Sequence, residues 1–255
     1  MSGKTILITG GASGIGFGIA QQLGAVGHSI IIADLNLAAA QSAVTQLMTQ
    51  NIQAQAIELD VGNALQIAAL PQRLLPTKVD VLINNAGIQH VSRLEDFPAD
   101  KWQLLINIML VGPALLTQTF LPGMRKQNFG RIINIGSVHS LIASPFKSAY
   151  VAAKHGLLGF AKTVALETGD CNITINTICP AYVKTPLVEK QIAAQAVENG
   201  ISEDDVVNKI MLDPMPKKAF IEMDELAATA AFLIADSARN ITAQTLVIDG
   251  GWTAR

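Results

Sequence analysis

Charge, aromatic residues and cysteine are all scarce in this chain. Only 15% of its 255 residues are charged, and the formal net charge is −2. With no long basic run, neither nucleic acid nor an anionic membrane surface is an expected partner. The two cysteines, Cys171 and Cys179, lack metal-ligand spacing, and reduced thiols are expected of them rather than a disulfide. No linker, repeat or low-complexity segment interrupts the chain. Residues 1–4 run straight into a strand-like segment without a basic-then-apolar leader. No apolar stretch reads as long enough to span a bilayer, so a cytoplasmic location is the expectation.

Aliphatic residues are abundant instead. Half of the chain is hydrophobic, enough for a large buried core. Short β-branched runs stand at Thr5–Ile8, Ser29–Ala33, Ala54–Leu59, Val79–Ile83, Arg131–Ile135, Ile173–Ile178 and Thr245–Ile248. Helix-like stretches at 14–26, 36–50, 99–127, 148–168 and 224–235 alternate with them. Strand-helix alternation of this kind predicts an α/β fold: a single domain over 1–255, doubly wound around a seven-stranded parallel sheet. Residues 184–223 break the rhythm. They contain no strand-like run, carry more charge, and hold Pro186, Pro214 and Pro216. The insertion follows a strand end, where open α/β sheets bind ligands, and is expected to be a mobile helical lid.

Thr9-Gly10-Gly11-Ala12-Ser13-Gly14-Ile15-Gly16 joins the first strand to the first helix. Glycines there let the backbone turn tightly against a pyrophosphate, and the helix N-terminus supplies N–H donors. Gly10, Ser13, Gly14, Ile15 and Gly16 are therefore candidate dinucleotide contacts. The second strand ends at Asp34, 24 residues after Gly10, followed by Leu35-Asn36-Leu37 rather than a cation. A carboxylate there accepts from ribose hydroxyls and repels a 2′-phosphate, so NAD is the expected cofactor. Asp60-Val61, at the end of the third strand, is placed to meet the adenine.

Further motifs follow in order: Asn84-Asn85-Ala86-Gly87 after the fourth strand, Ser137 after the fifth, then Tyr150-Val151-Ala152-Ala153-Lys154. In this order and spacing the chain, from about residue 4 to its end, resembles the short-chain dehydrogenase/reductase family. The resemblance implies a single-domain Rossmann fold and hydride transfer at an alcohol carbon by Ser137, Tyr150 and Lys154. Tyr150 and Lys154 lie four apart, hence on one helix face. A neighbouring ammonium favours the phenolate of a tyrosine whose free pKa is near 10. By the same resemblance Lys154 bonds the nicotinamide ribose, and Asn107 is the helix-kinking asparagine that anchors a relay water behind Lys154. Asn85, Ala86, Gly87, Pro180, Val183 and Thr185 are implied to contact the cofactor, the last two through the carboxamide. One position departs: Ala181 stands where the family usually has glycine, and a backbone angle that only glycine tolerates would be strained there.

The loops carry a narrower signal. Gln89, His139 and Lys147 stand near the reacting groups in sequence, and Gln191 lies in the lid segment. One cation and three neutral donors suit a small carboxylate. These loops resemble the branch of the family that acts on short 3-hydroxy acids. Oxidation of (R)-3-hydroxybutyrate to acetoacetate is the expected reaction, and its chemistry needs no metal. The resemblance also implies a homotetramer packed through the long helices and the C-terminal strand.

Overall fold

The computed structural model describes residues 3–254, without the side chains of Leu187, Lys190, Ala194, Glu198 and Asn199. Among the described residues seven strands run parallel in the order β3-β2-β1-β4-β5-β6-β7. They are β1 (Thr5–Thr9), β2 (Ser29–Asp34), β3 (Ala54–Glu58), β4 (Val81–Asn84), β5 (Gly130–Ile135), β6 (Ile173–Pro180) and β7 (Thr245–Ile248). Their unbroken aliphatic runs are explained by burial on both faces. Ile6, Ile8, Ile30 and Ile32 pack under helices α1 (Gly14–Ala25), α2 (Leu37–Thr49) and α9 (Met223–Ile234). The alternate residues Leu7, Ile31, Leu82 and Ile132 pack under α3 (Ala64–Arg73), α5 (Gly112–Gln127) and α6 (Ser148–Glu167).

Boundaries shift where side chains intervene. The fourth strand starts at Val81 because the Asp80 carboxylate turns back to accept from the Thr5 N–H at 2.8 Å. The sixth runs on through Pro180, since β7 pairs with it as far as Pro180↔Ile248. Residues 184–223 hold α7 (Pro186–Asn199) and the short α8 (Glu203–Val206). Val188, Ile192, Val206 and Met211 form a small apolar cluster of their own there.

The segment 99–127 is one continuous helix made of α4 (Ala99–Ile106), a π-turn (Asn107–Val111) and α5. Pro113 lacks the N–H that would bond the Met109 carbonyl, and the Gly112 N–H reaches back five residues to the Asn107 carbonyl. This helix corrects one expectation from the sequence. At 29 residues with a mean hydropathy of 1.8 in its most apolar stretch, it is long and apolar enough to cross a bilayer by length and composition. Part of that apolar surface packs on α3, α6 and the sheet.

Gly112 sets how closely this helix approaches the loop after β3. A Cβ on Gly112 would lie 2.6 Å from the Val61 carbonyl oxygen and 3.2 Å from that of Asn107, both backbone atoms that cannot rotate away. Gly112→Ala is expected to destabilise the fold by about 1–3 kcal/mol. Urea unfolding measures this; an unchanged midpoint would show that the helix moves freely.

Candidate active site

Strand order reverses between β1 and β4, so the loops leaving their C-terminal ends diverge and open a crevice. A cleft of about 530 Å³ lies there. At one end is the glycine turn. Gly10 and Gly14 have φ of +59° and +54°, a region that side chains disfavour. A Cβ on Gly10 would sit 2.9 Å from the Ala86 Cα. Asn85 braces the turn from β4: its amide donates to the carbonyls of Thr9 and Gly10, both at 2.9 Å. Ser13, the N-cap of α1, makes no side-chain cap bond, which leaves hydroxyl and helix N–H groups available to a ligand. Gly16 lies behind the turn, where a Cβ would meet the Gly10 carbonyl oxygen at 2.6 Å. Asp34 accepts from the Ala12 and Asn36 N–H groups, both at 3.1 Å. Asn36, not Asp34, caps α2. Open donors, a turn that excludes side chains and a carboxylate at the tip of β2 fit a dinucleotide. Ile15, Asp60, Val61, Gly87, Pro180, Val183 and Thr185 line the same cleft.

The other end brings together Ser137, Tyr150 and Lys154. Ser137 follows β5 and caps a short turn, its Oγ accepting from the His139 N–H at 3.1 Å. Lys154 is 5% exposed and donates to the Ile135 carbonyl at 2.7 Å. Its Nζ lies 5.6 Å from the centre of the Tyr150 ring. Burial lowers the Lys154 pKa to about 8. Burial raises that of Tyr150, and a hydrogen bond with Ser137 opposes the rise.

Gln89, His139, Lys147 and Gln191 line this end too, Gln191 reaching it from α7. Phe146, just before Lys147, takes a left-handed φ of +66°. Its carbonyl accepts from the Ser92 N–H at 2.9 Å, which holds the conformation. Burial lowers the Lys147 pKa, and no carboxylate pairs with its Nζ among the described residues. His139 is buried, with Nε2 2.7 Å from the Ser144 Oγ. Burial, then the charges of Lys147 and His155, push its pKa down to about 4.

Two aromatic wall residues escaped the sequence reading. Tyr182 and Trp252 line the cleft and stack with ring centres 5.8 Å apart, 70 residues apart in the chain. No spacing rule connects them. Asn107 begins the π-turn, and its Oδ1 accepts from the exposed Gln103 at 3.0 Å. The same turn presents Ile108 to the cleft and packs Met109 against Ala149, Ala153 and Tyr150. Ala181 is not strained, since its φ is not positive.

The site and sheet define a nicotinamide-dependent oxidoreductase of the short-chain dehydrogenase family, to which the chain belongs: the family's model matches residues 4–196. Over its whole length it is similar to two bacterial proteins named D-beta-hydroxybutyrate dehydrogenase. It is 42% identical to that of Cupriavidus necator, covering 100% of both chains. It is also 42% identical to that of Rhizobium meliloti, covering 99% of both. Among solved structures it resembles an actinorhodin polyketide ketoreductase with NADPH, at TM-score 0.94 and 28% identity over 100% of both chains.

With a pKa near 4, His139 is neutral throughout the working range and is protonated only as pH falls below that value. The pH profile of kcat/KM, which reports the free enzyme, is expected to show no inflection near 6.5 from this residue. An inflection there that disappears in His139→Gln would contradict the assignment.

Proposed function

We propose that the protein interconverts (R)-3-hydroxybutyrate and acetoacetate with NAD as cofactor. The observation that carries this reading is Lys147, a partly buried cation without an ion-pair partner among the described residues, in the wall that also holds Ser137 and Tyr150. With Gln89, His139 and Gln191 beside it, Lys147 offers a small carboxylate charge-assisted and neutral hydrogen bonds. The names of the two full-length relatives support the same substrate. Asp34 supports NAD, because a 2′-phosphate would face its carboxylate.

When bound, the nicotinamide supplies the hydride acceptor for the substrate C3 hydrogen. Tyr150, as phenolate, takes the proton of the 3-hydroxyl as the carbonyl forms. In the reverse direction its phenol returns that proton to the carbonyl oxygen. Lys154, as ammonium, lowers the cost of the phenolate, against the burial that raises it. Ser137 donates to the substrate oxygen and stabilises the charge that develops there. His139 remains a neutral partner, which leaves the substrate carboxylate's charge to Lys147.

Residues 184–223 act as a lid on a single-domain core, and Gln191 couples substrate binding to closure. The long helix leaves Leu104 and Val111 about 40% and 39% exposed. That apolar surface supports a homotetramer rather than a membrane span. Two free thiols are consistent with a reducing, cytoplasmic setting.

Losing a charged hydrogen bond of about 1.5–3 kcal/mol, Lys147→Ala should lower kcat/KM for 3-hydroxybutyrate by roughly 10- to 100-fold. Uncharged secondary alcohols and a 3-hydroxybutyryl thioester should be little affected. Equal losses on all three would remove Lys147 from carboxylate recognition. Asp34→Asn should narrow the NAD-over-NADP ratio by roughly tenfold, and an unchanged ratio would refute its selecting role.

A further inference from the structure

Phe146 occupies a backbone region that suits other residue types. Its φ is +66°, and with Pro145 it forms the centre of a turn. Proline in the second place of a turn goes with a left-handed third residue, a place that glycine or asparagine ordinarily fills. A Cβ there crowds the following carbonyl oxygen, so phenylalanine is strained. Asn51 and Asn128, also left-handed, follow the ordinary preference. The ring does not account for the exception. Phe146 is 48% exposed, and its ring lies 5.9 Å from the guanidinium of Arg93, itself an exposed side chain. A conformation of this kind persists only where the surroundings fix it, and such residues gather at functional sites.

The surroundings here are the wall that holds Lys147. The Phe146 carbonyl accepts from the Ser92 N–H at 2.9 Å. Ser92 comes three residues after Gln89, and Phe146 comes one before Lys147. One backbone bond therefore joins the two loops that carry these cleft residues. The same loop fixes His139, whose Nε2 lies 2.7 Å from the Ser144 Oγ. Lys147 is also held from its other side. Its carbonyl accepts from the Val151 N–H at 2.9 Å, in the first turn of α6. The Lys147 side chain is a flexible four-carbon stem, so the reach of its ammonium depends on how its Cα is placed and turned. Returning Phe146 to a negative φ would rotate the peptide that joins it to Lys147. Either the Ser92 bond would break or the lysine stem would swing away.

We propose that the left-handed backbone of Phe146, latched to Ser92, aims Lys147 at the substrate carboxylate, and that the site uses this backbone and not the phenyl ring. Phe146 is a positioning residue: it acts through Lys147 and leaves the transfer of proton and hydride to other groups. The proposal rests on the reading of Lys147 as the carboxylate partner.

Two substitutions at this one position separate backbone from ring. Phe146→Asn removes the ring but tolerates the left-handed region. Phe146→Val removes the ring and adds a branched Cβ that this region disfavours. Phe146→Asn should keep the wild-type KM for 3-hydroxybutyrate, and its Tm should rise by about 2–4 °C as strain is relieved. Phe146→Val should raise that KM about 3- to 10-fold, as a charged hydrogen bond is misplaced. Its kcat and its KM for the 3-hydroxybutyryl thioester should stay as in the wild type. An unchanged KM for the acid in Phe146→Val overturns the proposal. An equal rise in both variants also overturns it, because the ring would then be responsible. So does an equal rise on the thioester, which has no carboxylate to lose. A wild type inert toward 3-hydroxybutyrate would remove the substrate reading and the aim of Lys147 together. An active wild type with an unaffected Phe146→Val would remove the latch alone. Ser92→Pro deletes the N–H of the latch and gives the same readouts should Phe146→Val fail to fold.

Discussion

The hydrogen bond from Lys154 to the Ile135 carbonyl ties helix α6 to the end of β5, and the geometry of the site depends on it. Ile135 stands two residues before Ser137, and Lys154 stands one helical turn after Tyr150. One contact thus brings a hydroxyl on a loop and a phenol on a helix to the same end of the cleft. The tie exists because β4 stops at Asn84, level with Asn134, which leaves the next carbonyl of β5 without a strand partner on that side. Termination of a strand therefore creates the anchor for the lysine. Burial of that lysine opposes its charge and lowers its pKa to about 8.

Around this anchor the cleft divides by chemistry. The glycine turn contributes backbone donors and shape, with Asn85 holding it against β4. The opposite end contributes side chains: Lys147 as the cation, neutral His139 beside it, and Gln191 from α7. Tyr182 and Trp252 close the wall with apolar surface. On the proposed reading, a cation at Lys147 favours a short hydroxy acid, which has a free carboxylate, over a thioester, which has none.

Much of this was legible in the sequence, for definite reasons. Strands covered on both faces must be aliphatic throughout, so runs such as Ile30-Ile31-Ile32 mark them directly. Backbone at positive φ selects glycine, so Gly10 and Gly14 mark the turn. Along the long helix Gln103 and Asn107 bond each other at a spacing of four, while Leu105 and Met109 share a buried face. The row of Asn84, Asn134 and Thr177 across β4, β5 and β6 was not legible, because it requires the register of three strands at once. The Tyr182–Trp252 stack likewise joins distant segments.

The most direct measurement is the appearance of NADH when the protein is mixed with NAD and each enantiomer of 3-hydroxybutyrate separately. The account predicts turnover of the (R)-acid and essentially none of the (S)-acid. No reaction with either acid, alongside turnover of another alcohol, would contradict the carboxylate site built from Gln89, His139, Lys147 and Gln191 while leaving the family chemistry in place.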